Sequence, residues 1–371
     1  MSVKDSPSPS GAYQQSPTPQ RKSSIFETDE EKPVLSVEGE AKITKTVDLN
    51  SDGLCTKFST DSSKIAVGLS NGATKIYKSD GMSCIYQLND EETVSARLPV
   101  TSLSFVPTGK ARRGELLLAT YASGLVKFWH VSSNKALHTI HEPSQVLSSS
   151  LSPGGEQFIT AGSTEQVRIY DVATAKQIHV CEPSPNVLVM DGHRCHIFAV
   201  KHHPTMKHIF VTGGWDDTIQ FWDDRQERSI RHISGPHICG EAVDIDPKFN
   251  HILTASWRKH DSLQVWDFGT GRLIKTIPAD YGNESLLYTC QWMGKNHIVC
   301  GGSDANMLRI IDKTTLATSG QVLGLPRGVY SLDFDHNTKS LSQHGHYSPD
   351  VTTVAAVVGK SLLIVTNNLK P

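Results

Sequence analysis

The sequence predicts an all-β fold in which seven copies of a small four-stranded sheet close into a ring. A short apolar segment that ends in an aromatic or aliphatic residue, often followed by Asp, recurs seven times along the 371-residue chain. The first such segment ends at Tyr77 and the last at Val365, so the copies are spaced by about 48 residues, which indicates a repeat architecture. Other short segments accompany each apolar segment in a constant order, as expected for one sheet per repeat.

Two kinds of segment define each copy. The recurring apolar segments, which we interpret as third strands, lie at residues 75–77, 127–129, 168–171, 220–223, 264–267, 309–312 and 363–365. The segments interpreted as outer strands lie at residues 84–88, 135–140, 176–181, 228–233, 272–277 and 317–322. Residues 42–47 resemble 272–277 in sequence, although they precede the first copy. We expect residues 42–47 to complete the last sheet, because an unpaired sheet edge promotes aggregation.

The fourth copy carries the most distinctive residues. Gly192 and His193 open it, residues 212–217 form a turn, and the Phe-Trp-Asp sequence at 221–223 ends its third strand. With these features the chain resembles the WD40 β-propeller family over about residues 42–367. The resemblance implies a seven-bladed β-propeller that is closed by an N-terminal strand completing the last blade.

The resemblance also implies a structural role for four side chains of the fourth copy. In the family, a His, a Ser or Thr, the turn Asp and a Trp form a buried hydrogen-bond chain. The matching residues are His193, Thr212, Asp216 and Trp222. Other copies depart from this pattern, and the residues in place of the turn Asp are Asn71, Ser123 and Thr164.

Residues 1–40 differ in composition from the rest of the chain. They are rich in Ser and Pro, which predicts a disordered tail ahead of a propeller spanning residues 41–371. Several Ser-Pro and Thr-Pro pairs resemble sites of proline-directed kinases, and the phosphorylation candidates are Ser6, Ser8, Ser16, Thr18 and Ser23. The alternative is a solubilising tail in which these dipeptides have no role.

The composition argues against several partner classes. The 36 Lys and Arg residues nearly balance the 38 Asp and Glu residues, so we expect no direct nucleic-acid binding. No apolar run approaches the roughly 18 residues of a membrane span, and the polar N-terminal residues lack a secretory signal. We therefore expect a cytoplasmic or nuclear protein whose seven cysteines form neither disulfides nor a zinc site.

Reactive or metal-binding motifs are not apparent. The sequence holds no G-x-S-x-G, no Gly-rich phosphate loop and no H-E-x-x-H, so we expect no enzyme activity, cofactor or small-molecule substrate. The densest cluster of potential zinc ligands is His193, Cys195, His196, His202, His203 and His208. We interpret these residues as structural, because side chains that alternate along a strand cannot converge on one ion.

A binding face is predicted on the upper rim of copies four to seven. Trp215 precedes the turn of the fourth copy, and Trp257 occupies the equivalent place in the fifth, beside Arg258. The two indoles either contact a partner or pack under neighbouring loops. Aligned inner strands place one residue from each copy around the channel mouth: Leu54, Thr101, Leu147, Phe198, Glu241, Tyr288 and Tyr330. Aromatic rings around the Glu241 carboxylate suit a peptide that carries Arg or Lys.

These features favour a non-enzymatic scaffold or adaptor that binds peptide segments of protein partners within a multiprotein complex. Fold resemblance carries much of this expectation. The alternative is a propeller subunit of an RNA- or chromatin-associated complex, which would require a basic face. A propeller enzyme is a further alternative, and it would depend on a polar channel residue such as Glu241.

Overall fold

Short strands separated by tight turns follow one another along the chain. The computed structural model describes residues 34–107, 115–280, 282, 284–336 and 351–368. The described residues form 29 strands and one short helix, and the strands are arranged in seven antiparallel sheets. The five phosphorylation candidates between Ser6 and Ser23 lie outside the described residues.

We call each sheet a blade and number the blades along the chain. Two strands precede blade one, β1 (Ser36–Gly39) and β2 (Ala41–Asp48). Blade one contains β3 (Gly53–Phe58), β4 (Lys64–Leu69), β5 (Thr74–Lys78) and β6 (Cys84–Leu88), and helix α1 (Glu91–Ala96) follows it. Blade two contains β7 (Val100–Phe105), β8 (Leu116–Tyr121), β9 (Leu125–His130) and β10 (Lys135–His141). Blade three contains β11 (Val146–Leu151), β12 (Gln157–Gly162), β13 (Val167–Asp171) and β14 (Gln177–Cys181).

The remaining blades follow the same order from inner to outer strand. Blade four contains β15 (Ile197–His202), β16 (Ile209–Gly214), β17 (Thr218–Asp223) and β18 (Arg231–Ser234). Blade five contains β19 (Val243–Asp246), β20 (His251–Ala255), β21 (Leu263–Asp267) and β22 (Leu273–Ile277). Blade six contains β23 (Ser285–Met293), β24 (His297–Asp304), β25 (Met307–Asp312) and β26 (Thr318–Leu323). Blade seven contains β27 (Val329–Phe334), β28 (Val351–Val358) and β29 (Ser361–Asn368).

The blades form a closed ring. The inner strand of every blade contacts the inner strand of the next, and β27 of blade seven contacts β3 of blade one. β2 pairs with β29 as the outer strand of blade seven, with Ile43 opposite Val365 and Val47 opposite Leu362. The predicted seven-bladed propeller, closed by an N-terminal strand, is therefore confirmed.

β1 was not predicted as a strand. It pairs with β26 and adds a fifth strand to blade six. Residues 36–39, which the sequence analysis assigned to the N-terminal tail, thus form a strand through backbone pairing.

Short polar side chains join neighbouring inner strands around the channel. Asp333 of blade seven accepts the backbone N–H of Phe58 of blade one at 2.7 Å, and Asp244 of blade five accepts that of Trp292 of blade six at 2.9 Å. Ser150 of blade three accepts an equivalent bond from blade four. These bonds join blade seven to blade one, blade five to blade six and blade three to blade four. Within the described part of the chain, no helix is long and apolar enough to cross a membrane.

Candidate functional site

Two sets of connecting loops lie at the same end of the ring. Because the strands of a blade alternate in direction, the loops that enter the inner strands lie at the same end as the turns between second and third strands. We call this end the upper face. Trp215 lies in the turn between β16 and β17, and Trp257 lies in the loop between β20 and β21. Both tryptophans therefore lie on the upper face, in neighbouring blades.

A continuous series of ring contacts crosses this face from blade four to blade seven. Its members, which we call the aromatic arc, are Phe198, Trp215, His237, Trp257, Tyr288 and Tyr330. The successive ring centroids are 5.0, 6.2, 6.5, 6.4 and 5.2 Å apart. Trp215 is 43% exposed and Trp257 is 38% exposed, while the other four members are half-buried.

The two indoles are linked rather than adjacent. His237 lies between them and stacks on Trp215 with an angle of 13° between the ring planes. Sequence reasoning missed His237 because it belongs to the irregular loop that enters blade five. Its imidazole also lies 2.7 Å from the Asp217 carboxylate, so the turn that carries Trp215 is bonded to the next blade.

The inner-strand members of the aromatic arc share a backbone irregularity. Phe198, Tyr288 and Tyr330 each fall at a shift in the pairing register between the first and second strands of their blades. The same shift occurs at the aligned residues Leu54, Thr101 and Leu147. A β-bulge re-aims the side chain at that point. Thus the aligned positions share one local geometry in six of the seven blades.

A buried hydrogen-bond chain lies beneath Trp215. The His193 imidazole lies 2.9 Å from Asp216 through Nδ1 and 2.6 Å from the Thr212 hydroxyl through Nε2. The Trp222 indole N–H donates to the same hydroxyl at 2.8 Å. His193, Thr212 and Trp222 are fully buried. The four residues that the family resemblance singles out therefore form one connected chain between the loop into blade four and its third strand.

Asp216 extends this chain to the turn itself. Burial alone would raise the pKa of its carboxyl, but hydrogen bonds from His193, the Arg194 N–H and Thr218 outweigh burial and lower that pKa. Trp215 donates its backbone N–H to the His196 carbonyl at 3.0 Å. The turn that presents Trp215 is thus fixed on both sides.

The degenerate blades use other residues to hold their upper loops. In blade two, Lys127 is buried on the third strand and pairs with Asp90 at 2.7 Å. In blade three, Arg168 pairs with Glu142 at 3.1 Å, and Tyr170 donates to Glu142 at 2.9 Å. In blade six, Arg309 pairs with Asp280 at 2.8 Å. A basic side chain on the third strand replaces the His-based chain in each case.

The loop that enters blade four carries an apolar projection that sequence reasoning missed. Residues 187–190 (Val-Leu-Val-Met) are all exposed, and Leu188 is 91% exposed. Arg194 holds this loop by donating to the carbonyl oxygens of Ser184, Asn186 and Val189. The signal was four consecutive apolar residues in a polar loop. Because the loop is fastened at its base, the apolar side chains are held outward.

Glu241, the carboxylate predicted to attract an Arg or Lys of a peptide, has polar partners within the chain. Its side chain accepts a bond from Ser102 across the channel at 3.1 Å and lies 3.4 Å from the Lys57 ammonium. It lines a channel cavity of about 580 Å³ together with Lys57 and Asp333. Burial would lower the pKa of Lys57, but the charges of Glu241 and Asp333 raise it. Glu241 thus shares the Lys57 ammonium with Asp333 inside the channel.

Arg258 is half-buried and donates to Gln264 at 3.4 Å. Its neighbour Lys259 pairs with Asp304 at 3.2 Å, so the charges around Trp257 are mixed in sign.

The histidines of the predicted structural cluster have separate partners. His202 bonds Ser150, His203 bonds Asn250 at 2.8 Å, and His208 bonds Asp224. Among the described residues, no group of three His, Cys, Asp or Glu side chains is placed to hold a metal ion.

Comparison with known proteins places the chain among repeat proteins. A family model described as "WD domain, G-beta repeat" matches residues 184–223, which include the buried chain of blade four. The chain is 24% identical to protein tipD of Dictyostelium discoideum over 206 residues, which cover 55% of this chain and 31% of that protein.

Two further relatives are subunits by name. The chain is 21% identical to a guanine nucleotide-binding protein subunit beta of Zea mays over 254 residues, covering 67% of this chain and 61% of the relative. It is 25% identical to target of rapamycin complex subunit wat1 of Schizosaccharomyces pombe over 155 residues, covering 42% of this chain and 46% of the relative. In each of the three alignments the chain spans less than two thirds of the relative's length.

Proposed function

Because the chain belongs to the WD40-repeat β-propeller family, we propose that it is a non-enzymatic scaffold or adaptor that binds peptide segments of protein partners within a multiprotein complex. The observation that carries this proposal is the aromatic arc, in which two exposed indoles lie in an unbroken series of rings. Exposed aromatic side chains on a rigid support are the residues that most often dominate protein interfaces. The two relatives named as subunits favour the same class of function.

The spacing of the aromatic arc fits an extended peptide. Alternate side chains of a β-strand are separated by roughly 6.6 Å, and the ring centroids of the aromatic arc are 5.0 to 6.5 Å apart. A segment of about eleven residues would therefore place six alternate side chains, one over each ring. Apolar side chains or Arg and Lys suit these positions, because cations are attracted to aromatic faces. We assign the orienting role to the rings and not to Glu241, whose carboxylate already pairs with Lys57.

The exposed loop at residues 187–190 extends the proposed interface. It enters blade four next to His193, and the following residue, Arg194, donates its N–H to Asp216 beside Trp215. An apolar pocket of the partner would receive Leu188 while the peptide segment follows the aromatic arc. The seven free thiols fit a reducing compartment, so a cytoplasmic or nuclear location belongs to the proposal.

Matched tryptophan variants test the proposal. Trp215→Ala and Trp257→Ala should each weaken binding of the partners recovered with the wild-type chain, by about 2 kcal/mol or more, while melting within a few degrees of it. Trp222→Ala serves as the structural control, because removing a fully buried indole typically costs about 3 to 5 kcal/mol of folding free energy. The measurements are quantitative mass spectrometry of proteins purified with each variant from native cells, and calorimetric melting of the purified chains.

Two results would contradict the proposal. The first is melting of Trp215→Ala and Trp257→Ala as early as Trp222→Ala, which would make both indoles structural. The second is retention of every partner by both variants. Salt-sensitive retention of the wild-type chain on a polyanion resin, unchanged by both substitutions, would instead favour the RNA- or chromatin-associated alternative.

A further inference from the structure

Blade six differs from the other blades in its outer edge. In the described residues, six sheets have four strands each. The sheet of blade six has five, because β1 pairs with the outer edge of β26. The pairing is antiparallel and places Ser36 opposite Leu323, Val37 opposite Val322, Glu38 opposite Gln321 and Gly39 opposite Gly320. Blade six therefore holds an extended peptide segment that is not needed to close the ring, because β2 alone completes blade seven.

The backbone at this edge is shaped for close approach. Gly39 has φ +69°, and a Cβ atom there would overlap the carbonyl oxygen of Ser319. Gly324 has φ +65°, and a Cβ atom there would overlap the carbonyl oxygen of Val34. Each strand of the pair thus depends on a glycine, because Gly39 ends β1 and Gly324 follows β26.

Side chains contribute little to holding β1. None of its four residues is buried, and the preceding Val34 is 85% exposed. One side-chain bond crosses the pair, from the Gln321 amide to the Glu38 carboxylate at 2.8 Å. Little apolar surface is removed from water, so the backbone ladder and this single bond hold the segment. β2 is anchored independently along eight residues, and the chain changes direction between the two strands at Gly39.

We propose that the outer edge of β26 is a strand-acceptor site for an extended segment of a partner protein, and that residues 36–39 occupy this site within the chain until such a segment replaces them. Residues 36–39, which now occupy the site, define the chemistry of the ligand. It adds antiparallel to β26, carries an acidic residue opposite Gln321 and has Gly at the next position, opposite Gly320. Main-chain bonds supply affinity in this mode of recognition, and the acid supplies specificity. This site lies outside the aromatic arc and does not depend on the function proposed for it.

A peptide of the chain's own sequence provides the probe. Fluorescein-labelled peptide of residues 33–40 is titrated, with anisotropy as the readout, into the full wild-type chain and into full chains carrying Gly39→Val or Gly294→Val. Gly39→Val is chosen to prevent residues 36–39 from pairing with β26. Gly294→Val is the matched control, since Gly294 has φ +60° in the same blade but no atom within 4 Å of an added Cβ. We expect Gly39→Val to bind the peptide at least tenfold more tightly than the wild-type and Gly294→Val chains.

A charge exchange tests the register. Adding Gln321→Glu to the Gly39→Val chain should weaken the peptide at least tenfold, and a peptide carrying Glu38→Lys should regain affinity for that chain. Equal binding to wild-type and Gly39→Val chains, absence of binding to a folded Gly39→Val chain, or indifference to the charge exchange would each overturn the proposal.

Hydrogen exchange decides the question even if Gly39→Val does not fold. In a chain carrying Gln321→Glu alone, two carboxylates face each other, so the amides of residues 37–39 should exchange at least tenfold faster than in the wild-type chain while those of residues 43–47 stay unchanged. Unchanged exchange at residues 37–39 would show that β1 is a fixed part of blade six and would overturn the proposal.

Discussion

Replacing Thr212 by Val would isolate the energetic contribution of the buried chain in blade four. The two side chains have nearly the same shape, so the substitution removes hydrogen bonding while leaving packing almost unchanged. The Thr212 hydroxyl serves both the His193 imidazole at 2.6 Å and the Trp222 indole at 2.8 Å, and all three residues are buried. Leaving one buried polar group without a partner costs about 1 to 3 kcal/mol. We therefore expect Thr212→Val to lower the free energy of unfolding by about 2 to 5 kcal/mol.

Blade five supplies a matched control. Thr254 accepts the Trp266 indole N–H at 2.9 Å and is also buried, but its blade has no equivalent of the His193 contact. Thr254→Val should therefore cost about 1 to 3 kcal/mol, roughly half the loss at Thr212. Urea unfolding followed by tryptophan fluorescence measures both losses, and hydrogen exchange of the Trp222 indole N–H reports the broken bond directly. Equal losses at the two sites, or no loss at Thr212, would refute the assignment of energy to this chain.

Three further predictions concern other parts of the ring. Burial alone would raise the pKa of Asp333, but Lys57, His336 and the Phe58 N–H outweigh it and lower that pKa from 3.8 to about 2. Its contribution of roughly 2 kcal/mol is present above pH 4 and lost as the pH falls towards 2, so Asp333→Asn should flatten acid unfolding curves in that window. Exchanging residues 41–48 for a Gly-Ser linker should expose β29 and cause aggregation, seen by light scattering, whereas removing residues 1–33 should not. Arg194→Gln should speed hydrogen exchange of residues 186–190, and protection equal to wild type would contradict its role as the loop's anchor.

The parts of the structure that sequence predicted are those fixed by periodicity. The resemblance of residues 42–47 to residues 272–277 located the closure, and residues 42–47 pair with β29 as an outer strand. Alignment of the inner strands likewise placed Phe198, Tyr288 and Tyr330 at one local geometry, since their blades repeat the same register shift. Repetition gives such inferences several independent copies of one signal.

Pairing between distant side chains was not predictable in this way. Glu241 belongs to blade five and Lys57 to blade one, and their contact depends on the width of the channel, which no local pattern encodes. The loops of blades two, three and six are held by acids whose partners lie on third strands. A basic residue in an otherwise apolar strand, as at Lys127, was the available signal for these contacts. Copies two and three were described from the sequence only by the residues that replace the turn Asp, Ser123 and Thr164, so these contacts were not identified.

The substituted contacts have a consequence for recognition. In blades two, three, four and six, the loop entering the inner strand is fastened to a residue of its own blade by an ion pair or a hydrogen-bond chain. A face whose loops are fixed loses little conformational entropy when a partner binds, so more of the contact energy that we propose for Trp215 would be available as affinity. β1 has the opposite character, with exposed side chains and one side-chain bond. The ring thus combines a preorganised upper face with one weakly held strand, and binding at these two places should differ in its entropic cost.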